Sequence, residues 1–375
     1  MKTILKKIKQ EPMLFVSLAA AIISLFITPP SVGLIKSIDW KTLATLFMLL
    51  SVLDGFKHED LFLPVIRFSR KMRTLPMLGF FLVYGVFFSS MFVTNDVSLI
   101  IFVPLTILLF RQRGREEFIL PLLIMENTAA VRGSLLTPFG SPQNLFLFSN
   151  SGMSTPAFLK MMLPLWVGSF ILIALFVLFI FRKDLKTEGI VSAGVEGKWE
   201  KERRSKRILY LALFAIVLAS IVTRTSYWPY VTLFVALMLL LFDRDVYKRV
   251  DYVLLLTFFC FFIFSSSLAG NEKIAAFLKE SVAGREYWWS IGISQIISNV
   301  PGAIVLWPFT TDLKALIYGL DTAGLVFIIG SLASVINLRL YSREYPGNAG
   351  GFIKAFVKYS LPFFLIAASL QLLLL

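Results

Sequence analysis

Charge is scarce in this chain of 375 residues: Asp, Glu, Lys and Arg make up 16% of it, against about 25% in a soluble domain. Cysteine and histidine occur once each. A single cysteine, Cys260, excludes an internal disulfide and a cysteine metal cluster. Inside the apolar stretch Leu254 to Phe264 it reads as a small packing residue. No His-Glu-x-x-His, no Gly-x-Ser-x-Gly and no evident pair of intramembrane catalytic aspartates occurs, so an intramembrane enzyme has no support. The sole histidine, His58, begins a polar, amphipathic stretch and reads as interfacial.

What is abundant is apolar. Hydrophobic residues make up 57% of the chain, 37 of them Phe, and the mean hydropathy is +0.78. Runs long enough to cross roughly 30 Å of hydrocarbon recur to the last residue, which predicts an all-α integral membrane protein. The formal charge of +14 does not indicate nucleic acid, because the Lys and Arg residues fall mostly in short connectors between apolar runs. Residues 1–28 resemble a signal peptide, but Thr28-Pro29-Pro30-Ser31 is a poor cleavage site and the segment reads as a retained helix.

Crossings are predicted at about 12–28, 39–56, 117–150, 156–181, 207–223, 228–242, 252–270, 314–341 and 353–375, nine in all. Two further apolar stretches, 75–110 and 285–311, are split by Thr94-Asn95-Asp96 and Ser298-Asn299-Val300, and each reads as a re-entrant hairpin. Basic connectors support this count. With the N-terminus inside, 57–73, 111–115, 182–207, 244–249 and 339–354 all fall in the cytoplasm. The opposite connectors, 29–38, 150–156, 224–227 and 270–287, are poorer in Lys and Arg. Reading 75–110 as one crossing would export Arg203, Arg204, Lys206 and Arg207.

A polar linker, 182–206, divides the chain into two repeats, 1–181 and 207–375. Asp39-Trp40 and Asp251-Tyr252 each open a helix followed by an amphipathic stretch, a hairpin and a broken helix. The first hairpin enters from the cytoplasm and the second from outside. Inverted repeats of this kind place their sites at mid-membrane, at the ends of discontinuous helices.

Residues 135–144 (Leu-Leu-Thr-Pro-Phe-Gly-Ser-Pro-Gln-Asn) place two prolines and a glycine inside an apolar crossing. Each proline removes a backbone donor, and unwound backbone at that depth requires protein or an aqueous cavity beside it. In the second repeat Gly330 to Asn337 holds the corresponding position, with Ser334 and Asn337 answering Ser141 and Asn144. It contains no proline, so a shallower break is expected there, opened by Gly330 and Ser334, together with a better-formed cation site in the first repeat. At the hairpin tips Asn95 and Asn299 each offer a carbonyl for a cation and an amide for a carboxylate, with Thr94 and Ser298 adding hydroxyls. Asp96 is the one carboxylate at a tip; an ionisable group there is functional by default, and otherwise a helix cap. Glu126 and Arg132 lie six apart and do not share a helix face. They read as structural groups with separate partners, although Arg132 could also attract an anion.

These motifs resemble the ion transporter superfamily of divalent anion/sodium symporters, citrate transporter-like permeases, arsenite permeases and some sodium/proton antiporters. The likeness covers nearly the whole chain. Thr94-Asn95-Asp96 is similar to the Asn-Asp form of the first hairpin, Ser298-Asn299 to the second, and Gly140-Ser141-Pro142-Gln143-Asn144 to the family's Gly-Ser/Thr-Pro-Pro-Asn break. The resemblance implies one cation site, for sodium, at Thr94, Asn95 and Gly140, and another at Ser298, Asn299 and Ser334, with Asn144 and Asn337 beside the substrate. Val300 in place of a hydroxyl, and Val335-Ile336 in place of paired prolines, depart from the pattern at the second cation site and the substrate clamp.

The expectation is therefore a multi-pass protein of the cytoplasmic (inner) membrane, N-terminus inside, that carries a small anion coupled to sodium or protons; a sodium/proton antiporter is the alternative. No cofactor other than sodium is expected. The partners are the anion, the coupling cation and lipid, with a homodimer left open.

Overall fold

The computed structural model describes residues 12–29, 34, 36, 38–61, 68, 72–184, 204–223 and 226–375. The basic N-terminal segment, most of the amphipathic stretch 57–73 and most of the linker 182–206 lie outside the described residues. Six described helices are long and apolar enough to cross a membrane. The expected order of elements is present.

In the first repeat these are α1 (Pro12–Ile27), α2 (Trp40–His58), the hairpin helices α3 (Leu75–Val93) and α4 (Asn95–Gln112), the two pieces α5 (Ile119–Gly133) and α6 (Pro142–Ser151), and α7 (Thr155–Ile180). The second repeat has α8 (Arg204–Val222), α9 (Trp228–Phe242), α10 (Tyr252–Gly270), the amphipathic α11 (Glu272–Val282), the hairpin helices α12 (Glu286–Ile297) and α13 (Asn299–Leu306), the pieces α14 (Leu313–Ala323) and α15 (Leu332–Glu344), and α16 (Ala349–Leu372). Asp39 and Asp251 do open corresponding helices, each accepting a hydrogen bond from the backbone N–H three residues on, at 3.0 Å. Such caps satisfy donors that lipid cannot.

Polarity runs inside out. Along α7, Leu163, Val167, Ile171 and Leu175 are exposed at a spacing of four residues, a stripe suited to lipid. Glu126, Arg132 and Asp321 are buried instead. Packing interleaves the two halves of the chain. Each proximal piece rests on its own hairpin, α5 on α3 and α14 on α12, whereas each distal piece packs on the other repeat's hairpin, α6 on α13 and α15 on α4. Glycine makes the first kind of contact close. A Cβ on Gly133 would lie 2.0 Å from Phe87 O, and one on Gly319 would lie 2.4 Å from Tyr287 O.

Connectors expected on the same side contact one another. Arg111 bonds Glu344 at 3.2 Å and Arg115 bonds Asp184 at 2.6 Å. Arg249 bridges Asp54 (2.6 Å) and Asp243 (3.2 Å), with Lys206 at 3.5 Å and the Tyr210 hydroxyl at 2.7 Å from Asp243. Every one of these residues belongs to a connector, or a helix end beside it, expected in the cytoplasm. At the other ends Thr28 bonds Ser267 O, Asn150 bonds Asp39 and Thr155 bonds Val222 O, each at 2.8 Å.

Two expectations are corrected. The second break is not shallower: it runs from Gly324 to Ser331, eight residues, the same length as Ser134 to Ser141. Close approach replaces proline. A Cβ on Gly330 would lie 2.3 Å from Ala323 O, as one on Gly140 would lie 2.4 Å from Ser134 O, so each glycine folds the chain back onto the end of the preceding helix. The correspondence between breaks also shifts by three residues. Ser331 (φ −146°, ψ 139°) starts α15 as Ser141 (φ −144°, ψ 150°) starts α6; Ser334 therefore answers Asn144, and Asn337 answers Leu147.

Candidate substrate and ion site

The hairpin tips have nearly the same backbone geometry. Thr94 has φ 69° and ψ 157°, and Ser298 has φ 71° and ψ 159°. This region of conformational space is essentially reserved for glycine and costs about 1–3 kcal/mol for other residues. The strain is held by surrounding packing, and it reverses the chain in a single residue, so that Asn95 and Asn299 begin the return helices. Hairpin lengths differ. At 1.5 Å per residue, α3 and α4 (19 and 18 residues) span about 28 and 27 Å, whereas α12 and α13 (12 and 8 residues) span about 18 and 12 Å.

Despite this inequality both tips reach one cavity of about 430 Å³, within the roughly 300–1,000 Å³ typical of small-molecule sites. Asn95 and Asp96 line it from the first tip, Ser298, Asn299 and Val300 from the second, Pro142 and Gln143 from the first break, and Ser331 and Leu332 from the second. Asp251 and Thr257 of the α10 region and Arg339 of α15 complete its polar wall. Four helices, α4, α6, α13 and α15, thus begin at the cavity. Their dipoles favour negative charge, each by about 0.3–1 kcal/mol and more when partly buried.

Among the buried oxygens without a hydrogen-bond partner, Asp96 Oδ1, Gln143 Oε1 and Ser331 Oγ belong to residues that line this cavity, whereas Asn144 Oδ1, Gln295 Oε1, Asn127 Oδ1 and Asn337 Oδ1 belong to residues that do not. Most buried polar groups in proteins are satisfied, so clustered exceptions call for a ligand. Oxygen donors of this kind suit a hard cation. No cluster of His, Cys, Asp and Glu able to hold a metal occurs among the described residues.

Not every expected site residue reaches the cavity. Asn95, Asp96, Ser298 and Asn299 do, while Thr94, Gly140 and Ser141 are buried immediately behind it. Asn299 Nδ2 donates to Leu320 O at 3.4 Å, tying the second tip to α14. Thr137 Oγ1 donates to Met91 O at 2.5 Å, tying the first break to the first hairpin. Ser334 and Asn337 face α5 instead: Asn127 Nδ2 donates to Ser334 Oγ at 3.0 Å, and Asn337 Nδ2 donates to Leu123 O at 2.7 Å. Asn144 is also withdrawn from the cavity, donating to Asp321 Oδ2 at 3.2 Å.

Asp321 is the main residue missed in the sequence. It lies two residues before the end of α14, is 1% exposed, and accepts from both Asn144 and Gln143 Nε2 (3.1 Å). Its signal was available, since a carboxylate within an apolar run is the criterion that marked Asp96. Glu126 and Arg132 have separate partners, as expected. Glu126 accepts from Thr106. Arg132 donates to Ser169 Oγ (2.8 Å), Thr322 Oγ1 (3.2 Å) and Asp321 O (3.4 Å). The Gln371 amide is satisfied with its oxygen 2.7 Å from Arg132 Nη2 and its nitrogen toward Tyr287 and Thr322.

Comparison with known proteins agrees with this architecture. The citrate transporter family profile matches residues 3–335. The chain belongs to the citrate transporter family. It is 32% identical over 339 residues to inner membrane protein YbiR of Escherichia coli (strain K12), covering 88% of this chain and 86% of that protein. Identity is 29% over 335 residues to uncharacterized transporter MJ0456 of Methanocaldococcus jannaschii, covering 88% of each. This member of the family is accordingly a multi-pass membrane protein and a secondary transporter of a small molecule, and its cavity is the candidate site for that molecule.

Proposed function

We propose that this transporter moves a small anion, a carboxylate or oxyanion, across the cytoplasmic membrane, coupled to protons or sodium. The observation that carries the anion reading is the convergence of four helix N-termini on one cavity. Partnerless oxygens beside Asn95, Gln143 and Ser331 support a coupling cation close to the anion, where opposite charges stabilise each other in a medium of low dielectric. The family's name makes citrate the first substrate to test. Movement of the hairpins and broken helices against α1, α2 and α8–α10 would expose the cavity to each side in turn, with the N-terminus in the cytoplasm. The matching hairpin tips at Thr94 and Ser298 and the matching breaks support reading 1–181 and 207–375 as inverted repeats, the arrangement such a cycle uses.

One observation favours a sodium/proton antiporter as the second reading. Asp96 Oδ1 is buried without a partner, and Asp251 lines the same cavity, so a carboxylate is placed to exchange one cation for another. Proteoliposomes separate the two. Anion transport predicts uptake of labelled citrate, or of another anion in a panel, driven by an imposed proton or sodium gradient. Antiport predicts gradient-driven sodium flux that needs no anion, and that result with no anion uptake would overturn the first reading.

A further inference from the structure

Asp321 is buried, and no cation makes a salt bridge to its carboxylate. Both oxygens are held by neutral amides, Gln143 Nε2 at 3.1 Å and Asn144 Nδ2 at 3.2 Å. Arg132 is nearby, but it donates to the main-chain oxygen of Asp321 and to Thr322, not to the carboxylate. The remaining ionisable neighbours are Tyr287 of α12 and Tyr318 of α14 itself. From α6, α13 and α16 come Gln143, Asn144, Asn299 and Gln371, all neutral. Arg132 offsets part of the cost of this buried charge through space, but without a direct ion pair the rest remains, and taking up a proton removes it.

The amides supply a second, independent observation. Gln143 Oε1 and Asn144 Oδ1 are both buried and partnerless, so each amide has its nitrogen occupied by Asp321 and its oxygen unused. Gln143 also lines the cavity, whereas Asp321 does not.

On the reading of this protein as an anion transporter, we propose that Asp321 is a proton site that gates the anion site through the amide of Gln143. A proton from a hydronium ion in the cavity forms an O–H bond at Asp321 Oδ1, and the hydronium is left as water. The carboxyl oxygen, formerly an acceptor, now donates. Gln143 turns its amide by half a revolution, so that the partnerless Oε1 accepts that proton and Nε2 is released as a donor at the cavity wall. An anion then meets a free amide donor and a neutral carboxyl, where before it would have met an occupied amide and a negative charge. Proton and anion therefore favour each other's binding, and by linkage the effect is reciprocal.

Infrared spectroscopy of the purified full-length protein tests the first step without any ligand. In the difference between wild type and Asp321→Asn a carboxylic acid C=O band should grow as pH falls; a difference spectrum without such a band overturns the proposal. The second step is read with ¹³C-citrate, whose own bands are displaced. Citrate should increase the Asp321 band at constant pH in the wild type. Gln143→Met should keep the pH titration but lose the citrate response, and a full response in that variant overturns the role of the amide. Calorimetry on the same samples scores citrate binding itself. Binding without proton uptake refutes this proposal alone, whereas failure of every anion to bind, with the ligand-free band intact, refutes the anion reading and leaves the proton site standing.

Discussion

Gly133→Ala offers a sharp test of how the first hairpin is held. The added Cβ would lie 2.0 Å from Phe87 O, 2.5 Å from Ser90 Oγ and 2.7 Å from Phe87 C. An ordinary carbon–oxygen contact is about 3.3 Å, so α5 and α3 must separate by roughly 1.3 Å at that point. Ser90 can rotate away, but the Phe87 carbonyl belongs to a helix and cannot. Overpacking of this kind costs about 1–3 kcal/mol, and the rigid neighbour puts Gly133 at the upper end. Ala is favoured over Gly in a helix by about 1 kcal/mol, which leaves a net loss of about 2 kcal/mol. Gly168→Ala is the control. It lies in α7 with nothing within 4 Å of the new Cβ, so only the favourable term of about 1 kcal/mol remains. The two substitutions should therefore differ in sign and by about 3 kcal/mol. Heating followed by size-exclusion chromatography in detergent reads the difference, and proteoliposome uptake reads its consequence, since displacing α3 moves the tip at Thr94 away from the break. Equal thermostability and equal uptake in the two variants would refute the close contact and with it the idea that α5 positions the hairpin.

Asn95→Ala and Asn299→Ala should each abolish transport while leaving expression largely intact, because each removes a ligand at a tip, Asn299→Ala also losing the bond to Leu320 O; normal uptake by either would remove that tip from the site. In a background with Cys260 replaced, single cysteines at Arg113 and Arg343 should resist an impermeant thiol reagent applied to intact cells, whereas those at Met153 and Glu280 should react. Labelling of Arg113→Cys from outside would break the hairpin topology. Burial alone would push the carboxyl of Asp243 up, but the Tyr210 hydroxyl, Lys206 and Arg249 outweigh it and hold the group below the usual carboxylate range. A lowered value means that its stabilisation is present above about pH 4, the unfolded value, and is lost as pH falls through the folded one. Asp243→Asn should therefore lower thermostability at neutral pH by about 1.5–3 kcal/mol and flatten its decline in acid; an unchanged acid profile would leave the cluster without that role.

Sequence alone determined the solvent of this protein, the order of its elements and the residues at its tips. Those properties are local. Hydropathy depends on runs of neighbours, prolines and glycines interrupt a helix wherever they stand, and Asn95 and Asn299 are conspicuous because polar residues inside apolar runs are rare. Breaks without proline are less legible. The break from Gly324 to Ser331 begins six residues before the expected Gly330 because its cause is the approach of Gly330 to Ala323 O, a contact between residues seven apart that no residue type announces. Tertiary structure decided what faces what. Ser334 and Asn337 have the composition of ligands, but α15 turns them toward Asn127 and Leu123 of α5. Asp321 became part of the site only because α6 and α14, one from each repeat, pack together and bring Gln143 and Asn144 to its carboxylate across a separation of 178 and 177 residues. Periodicity records which side of a helix is apolar. It does not record which helix will cover that side, and the pairing of distal pieces with the opposite hairpins is a property of the folded chain as a whole.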